Sequence, residues 1–272
     1  MKNRHVCASV RASAARRANS AAISILCSLL LTSSPLGAAA SSAGAGQQQA
    51  FPLISLDSAL QGQEAIAQLG DSLEELAVYY GKNAAEFARL LRDDSSLWLD
   101  RDGRAFYLDR FSRPEADSGP QANQPAPFPL SDTFTLASRP GAARVIYLDF
   151  SGNVTRDTAF NRLHQIQSID SPAYSLDADQ AFSREELRRI QLIWQQVAED
   201  FAPFDVNVTT RFPGDSKMNR RVAQDASYGT RVVISTEPMA DCDCDGISYL
   251  GAFDDIGSSR KPVFVFSGNG VI

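Results

Sequence analysis

Residues 183–210 read SREELRRIQLIWQQVAEDFAPFDVNVTT. Ser183 with Glu186 three places on is a capping box, in which the hydroxyl and the glutamate each satisfy one free backbone N–H at a helix start. Leu187, Ile190, Ile193, Trp194, Val197 and Phe201 then recur at helical spacing and form one broad apolar stripe. Pro203 stops the helix, because the residue before a proline is pushed out of the α region. Asp205–Thr210 follows at once with Val206 and Val208 on one side, the two-residue period of a strand. A long amphipathic helix running straight into a strand predicts an α/β domain.

Outward from that stretch, four further runs read as strands: RVIYLDF at 144–150, RVVIS at 231–235, ISYLGAF at 247–253 and PVFVFS at 262–267. The expectation for residues 141–272 is a twisted, mostly parallel five-stranded sheet with one long helix. One helix covers one sheet face. The other face needs a second layer, and the pattern predicts that the chain ends before supplying one.

Upstream, composition divides the chain. Residues 113–140 carry Pro114, Pro120, Pro125, Pro127, Pro129 and Pro140 and few large apolar side chains, which reads as a linker or an extended connecting segment. Residues 41–112 read as a small helical domain with a hairpin, its first fifteen or so residues being a polar lead-in. Asp71 with Glu74 has the capping-box pattern, Leu73, Leu76, Ala77 and Tyr80 share a face, and Gly81 ends that helix. Asn83 with Glu86 opens a second helix whose apolar face is Phe87, Leu90 and Leu91. Leu97–Asp100, a turn at Asp102-Gly103 and Ala105–Asp109 predict the hairpin. Helix, glycine turn and helix resemble a DNA-binding helix-turn-helix. Yet residues 71–94 hold six acids against three bases, which argues against contact with phosphates. A propeptide suits a small domain in this position better.

The amino terminus reads as a cleavable secretory leader over residues 1–40. Lys2, Arg4, Arg11, Arg16 and Arg17 precede an apolar run from Ala21 to Leu31, and Pro35 and Ala38–Ala40 follow. The apolar run falls short of the ~20 residues that span a bilayer. The whole chain has 26 basic and 32 acidic residues. Removing the leader's five bases leaves 21 against 32, a net charge of −11 in place of −6. A surface so acidic excludes nucleic acid as a partner. No later stretch is apolar for long enough to cross a membrane, so none is expected once the leader is cut. The expected location is secreted, extracellular or periplasmic.

Chemistry is sparse in the mature residues. They hold one histidine, His164, expected to be solvent-exposed, and no G-x-S-x-G elbow; FSGNG at 266–270 puts its serine in the wrong register. Asp241-Cys-Asp243-Cys-Asp245-Gly246 matches the opening of a calcium loop, but its twelfth position is Ala252 instead of a bidentate glutamate. Zinc held by Cys242 and Cys244 would need two more thiols or histidines. A disulfide is the better expectation, either between the two in a tight ring or from one of them to a cysteine outside this chain. Asp149, Glu199, Asp200, Asp254 and Asp255 all lie near element ends, with no spacing that singles out a catalytic pair.

The ordered set formed by RVIYLDF (144–150), IWQQVAEDFAPFDVNVTT (193–210), YGTRVVIS (228–235), CDCDGISYLGAFD (242–254) and FVFS (264–267) resembles bacterial secreted zinc metallopeptidases of the metzincin, reprolysin-like type. The resemblance covers about residues 134–272, and residues 56–112 are similar to the propeptide region of such precursors. It implies a secreted zymogen that hydrolyses peptide bonds in protein or peptide substrates. It also implies zinc on three histidines of an H-E-x-x-H-x-x-G-x-x-H helix placed shortly after the PVFVFS strand. In that segment the glutamate is the general base for the metal-bound water. This sequence contains no such segment. No catalytic residue, cofactor-binding residue or metal ligand is carried over, and no zinc is expected on this chain. The expectation is an incomplete metallopeptidase-like domain at 141–272, the amino-terminal part of a longer precursor and inactive alone. The alternative is a short secreted protein derived from a peptidase, binding or inhibiting a partner without catalysis.

Overall fold

The computed structural model describes residues 50–110, 124–177, 179–239 and 242–267. The amino-terminal block holds strand β1 (Leu60–Gln61), helices α1 (Gly62–Leu69), α2 (Ser72–Tyr79) and α3 (Ala84–Asp93), and strands β2 (Leu97–Leu99) and β3 (Ala105–Asp109). After residue 124 come β4 (Arg144–Asp149), β5 (Asn153–Arg156), α4 (Ala159–His164), β6 (Ser168–Ser171), α5 (Arg184–Asp200), β7 (Val206–Thr209), β8 (Tyr228–Ser235), β9 (Gly246–Tyr249) and β10 (Val263–Phe266). The fold is α/β. Its main sheet is mixed, with eight strands in the order β1-β2-β3-β9-β10-β8-β4-β7, and β5 and β6 form a separate hairpin.

This corrects the expected five-stranded sheet with one long helix. The described residues hold eight strands in the main sheet and five helices. The five expected strands are present and adjacent: β7, β4, β8 and β10 pair in parallel, and β9 is antiparallel to β10. The other three come from the amino-terminal block. Its hairpin lies antiparallel on β9, with Phe106 opposite Tyr249 and Asp109 opposite Gly246, so both blocks share one sheet. Periodicity marks strands but not their partners, which is why this edge pairing was invisible in the sequence. The run expected at 247–253 is also shorter: β9 stops at Tyr249 and Ala252–Asp254 is a 3₁₀ turn.

Alternation along β10 shows how the layers are built. Val263 and Val265 join the core under α5, with Ile190, Ile193, Trp194, Val197 and Phe201. Phe264 and Phe266 point the other way, into a cluster with Phe160, Ile169, Val233, Met239, Ile247 and Tyr249. That second face is covered by α4, by the β5–β6 hairpin and by the chain around Cys242 and Cys244. The expected missing layer is therefore supplied from inside the chain, by short elements whose periodicity is too brief to read. Helices α1–α3 bury a third core over the first hairpin, formed by Leu76, Phe87, Leu91, Leu97, Leu99 and others.

Capping follows the sequence at two helices of three. Asn83 with Glu86 and Ser183 with Glu186 form both halves of a capping box. Asp71 makes no side-chain cap, because its backbone is already helical. Glu186 goes beyond its cap. Almost fully buried, it accepts hydrogen bonds from the Ser183 and Leu176 backbones and the Ser175 hydroxyl, tying the loop before α5 to its first turn.

The described part of the proline-rich stretch is packed, not free. Buried Gln191 on α5 accepts from the Phe128 N–H and donates to the Pro129 carbonyl and the Thr133 hydroxyl. Phe128 meets the Trp194 ring edge-on, and Ser138 N–H bonds the Val208 carbonyl along the outer edge of β7. An edge strand is thereby covered by the chain's own backbone.

The closest backbone approach lies at Gly229 in β8. A Cβ there would sit 2.4 Å from the Val145 carbonyl oxygen and 2.9 Å from that of Lys217. Both neighbours are backbone and cannot swing aside. Gly229→Ala is expected to cost about 1–3 kcal/mol by overpacking, read as a lower urea midpoint. A midpoint equal to the parent's would refute that close approach.

Candidate functional site

Two charged clusters sit in the larger part of the fold, at opposite ends of its parallel strands. The first is at the carboxyl end of β4. Asp149 is buried, and its carboxylate takes the Ser151 N–H and hydroxyl on one oxygen and the Arg231 guanidinium at 3.0 Å on the other. Arg231, on β8, also bonds the Asn153 side chain, and its guanidinium lies over the rings of Tyr147 and Phe212. Burial, with Asp149 nearby, raises the Tyr147 phenol above its ordinary range. Both carboxylate oxygens of Asp149 thus carry protein donors. It holds β4 to β8, a structural ion pair rather than a base aimed at a substrate.

The second cluster gathers around Lys261 at the amino ends of β8 and β10. Lys261 is 6% exposed, and its Nζ donates to the Gly229 carbonyl at 2.9 Å and the Met218 carbonyl at 3.4 Å. Asp255 pairs with Arg260, and Arg220 bonds the Asp254 carbonyl at 3.1 Å. Burial, then the neighbouring Asp255, pushes the Asp254 carboxyl above the usual range. Burial pushes the Lys261 ammonium down to about 8, against the pull of Asp255 and Asp254. An amine poised near neutrality suggests a nucleophile. Here the same nitrogen is spent on two backbone carbonyls, so it fastens the 3₁₀ segment Asp215–Lys217 and its successor Met218 to the sheet. No motif marks this cluster in the sequence; its members span residues 220–261 and meet only through the topology.

Of the five carboxylates singled out from the sequence, Asp254 and Asp255 sit together in the Lys261 cluster and Asp149 sits in the other. Gly229, whose carbonyl accepts from Lys261, is in register with Val145, four residues along β4 from Asp149. Glu199 is exposed on α5 and accepts from Gln195, and Asp200 lies at the end of that helix.

Cys242 and Cys244 are joined to each other in a disulfide, with both side chains buried in the second-face core. In the calcium-like loop, Asp241 lies outside the described residues. Asp243 is fully exposed and pairs with Arg110. Ala252, the twelfth position, is buried among the aromatic residues of the second face, where no ligand oxygen is offered. His164 closes α4 half-buried, with its Nε2 shielded from solvent, where an exposed ring was expected. The hydroxyls of Ser235 and Ser267, at the carboxyl ends of β8 and β10, donate to the Pro172 and Ser235 carbonyls. Among the described residues, no three histidine, cysteine or acidic side chains are placed to hold a metal ion. With the two thiols bonded together, the described residues offer no ligand set that fits zinc.

No family model, curated protein or solved structure matches this chain. Among the described residues no helix is long and apolar enough to cross a membrane. The expected leader lies outside the described residues.

The buried lysine gives a pH signature. Its folded value of about 8 lies below the ordinary 10.5, so the unfolded chain binds this proton more tightly. Its contribution to stability therefore grows as pH rises from about 8 towards 10.5. Lys261→Met is expected to flatten that rise in urea midpoints taken across the range. A variant whose slope matches the parent's would count against a buried, proton-shedding lysine.

Proposed function

We propose that this chain is the amino-terminal part of a secreted zinc metalloendopeptidase precursor of the metzincin, reprolysin-like type. The 272 residues carry a leader, a propeptide block and part of the catalytic fold, but not the zinc ligands. The observation that carries this reading is the placement of the segments on which the resemblance rests. Spread over residues 144–267, they fold side by side as β4, α5 with β7, β8, β9 and β10, contiguous in the sheet. The amino-terminal block has its own core and pairs with the end of that set at β9, which supports reading it as a covering propeptide.

Peptide hydrolysis in this family needs metal-bound water and a general base. The whole sequence has two histidines, His5 and His164, and no H-E-x-x-H segment. The purified 272-residue chain is therefore expected to take up no stoichiometric zinc and to leave casein uncut. Zinc in a one-to-one ratio together with cleavage would overturn the assignment of an inactive portion. For the family itself, the coding sequence after codon 272 is decisive. An H-E-x-x-H-x-x-G-x-x-H segment is expected there, and its absence from all three frames would sink the precursor reading.

One observation favours a second reading, a short exported protein that binds or inhibits a partner. Among the described residues, both faces of the central strands are covered by the chain's own elements. Under that reading the downstream frames are empty, and the leaderless chain melts in one cooperative transition. Loss of cooperativity would remove it.

A further inference from the structure

The seam between β3 and β9 is built like an interface between two bodies. Residues 56–107 bury a core of their own, and Leu250 is the one residue from beyond position 124 in that cluster. In return, Phe106 enters the second-face core with Trp98 and Leu108 packed against it, beside Phe160, Tyr249 and Phe264. Phe106 contacts the Tyr249 ring directly. Four residues pair along the ladder, and the Leu250 and Asp245 amides donate to the Ala105 and Asp109 carbonyls. At the buried centre the Tyr249 hydroxyl donates to Asp100 at 2.9 Å, while the Asp102 and Arg104 amides hold the carboxylate's other oxygen. At the rim Arg110 pairs with exposed Asp243. The other edge of β9 is taken by β10, so β3 is what closes this side of the larger block. Without it, the β9 backbone would present an unpaired edge and the aromatic rings of Tyr249 and Phe264 would lose cover.

We propose that residues 50–110 are a strand-donating module that stays docked on β9 without the covalent connection. Scission between residues 112 and 123 then leaves a one-to-one complex, not two free pieces. Docking of this kind uses main-chain hydrogen bonds for affinity and alternate side chains for specificity, here Phe106 and Leu108 on the side facing the second-face core. The docking follows from the seam alone. Its meaning, a propeptide that still covers the larger block after its connection is cut, rests on the precursor reading.

The test uses the full chain with a site-specific protease sequence in place of residues 114–120. After cutting, the two pieces are expected to elute together in size exclusion at the mass of the uncut chain. Release of a fluorescently labelled amino-terminal piece on dilution then reports the hold. Tyr249→Phe should speed release about tenfold, because it leaves an Asp100 oxygen buried without its donor. Arg110→Gln, at an exposed pair, should change release by less than about threefold. Two separate peaks after cutting, or aggregation of either piece, would overturn the proposal. So would a release rate unmoved by Tyr249→Phe or moved more by Arg110→Gln. None of these readouts depends on peptidase activity, so failure of the docking and failure of the precursor reading are separable.

Discussion

Two-sided burial of the central strands is the constraint on which this structure depends. In β10, valines face one layer and phenylalanines the other, and β8 alternates in the same way with Val232 and Ile234 against Val233. A strand apolar on both faces is stable only between two covering layers, whose burial contributes roughly 25 cal/mol per Å² of apolar surface. Helix α5 supplies one layer. The other is pieced together from α4, the β5–β6 hairpin and the disulfide loop. That loop is consequently part of the core, and its cysteines pack as apolar side chains as well as bonding to each other.

The same constraint extends to edges. An open strand edge invites pairing with any extended chain. At β7 the edge is taken by the backbone around Ser138, and at β9 by the hairpin of the amino-terminal block. Each cover is pinned by a polar group that is costly to leave unpaired: Gln191 holds the chain at Phe128–Thr133, and Asp100 holds Tyr249. The charged clusters at Asp149 and Lys261 belong to this scheme too. They lock neighbouring elements at the two ends of the parallel strands.

Local signals in the sequence translated well. The helix at 184–200, its Ser183–Glu186 cap, the stop before Pro203 and the strand after it all rest on spacing within one element. Such spacing is set by the 3.6- and 2-residue periods of the backbone itself. The five strands of the larger block were legible for the same reason. The Asp71 cap failed because the pattern of types was present without the extended backbone that an N-cap requires. The short covering elements α4, β5 and β6, four to six residues each, were missed because so few residues cannot establish a period.

By itself, then, the sequence determined the long helix with its cap, the five strands of the larger block, and an excess of acidic over basic residues. All of these are properties of composition or of neighbours along the chain. Only the tertiary structure decided that the amino-terminal hairpin belongs to the same sheet, that the second face is covered, and that Asp149 and the Asp254–Asp255 pair fall in separate clusters. Those depend on contacts between residues tens to more than a hundred positions apart, such as Asp100 with Tyr249. Pairing of that kind is settled by shape, burial and hydrogen-bond satisfaction across the whole core, for which no local pattern carries a signal.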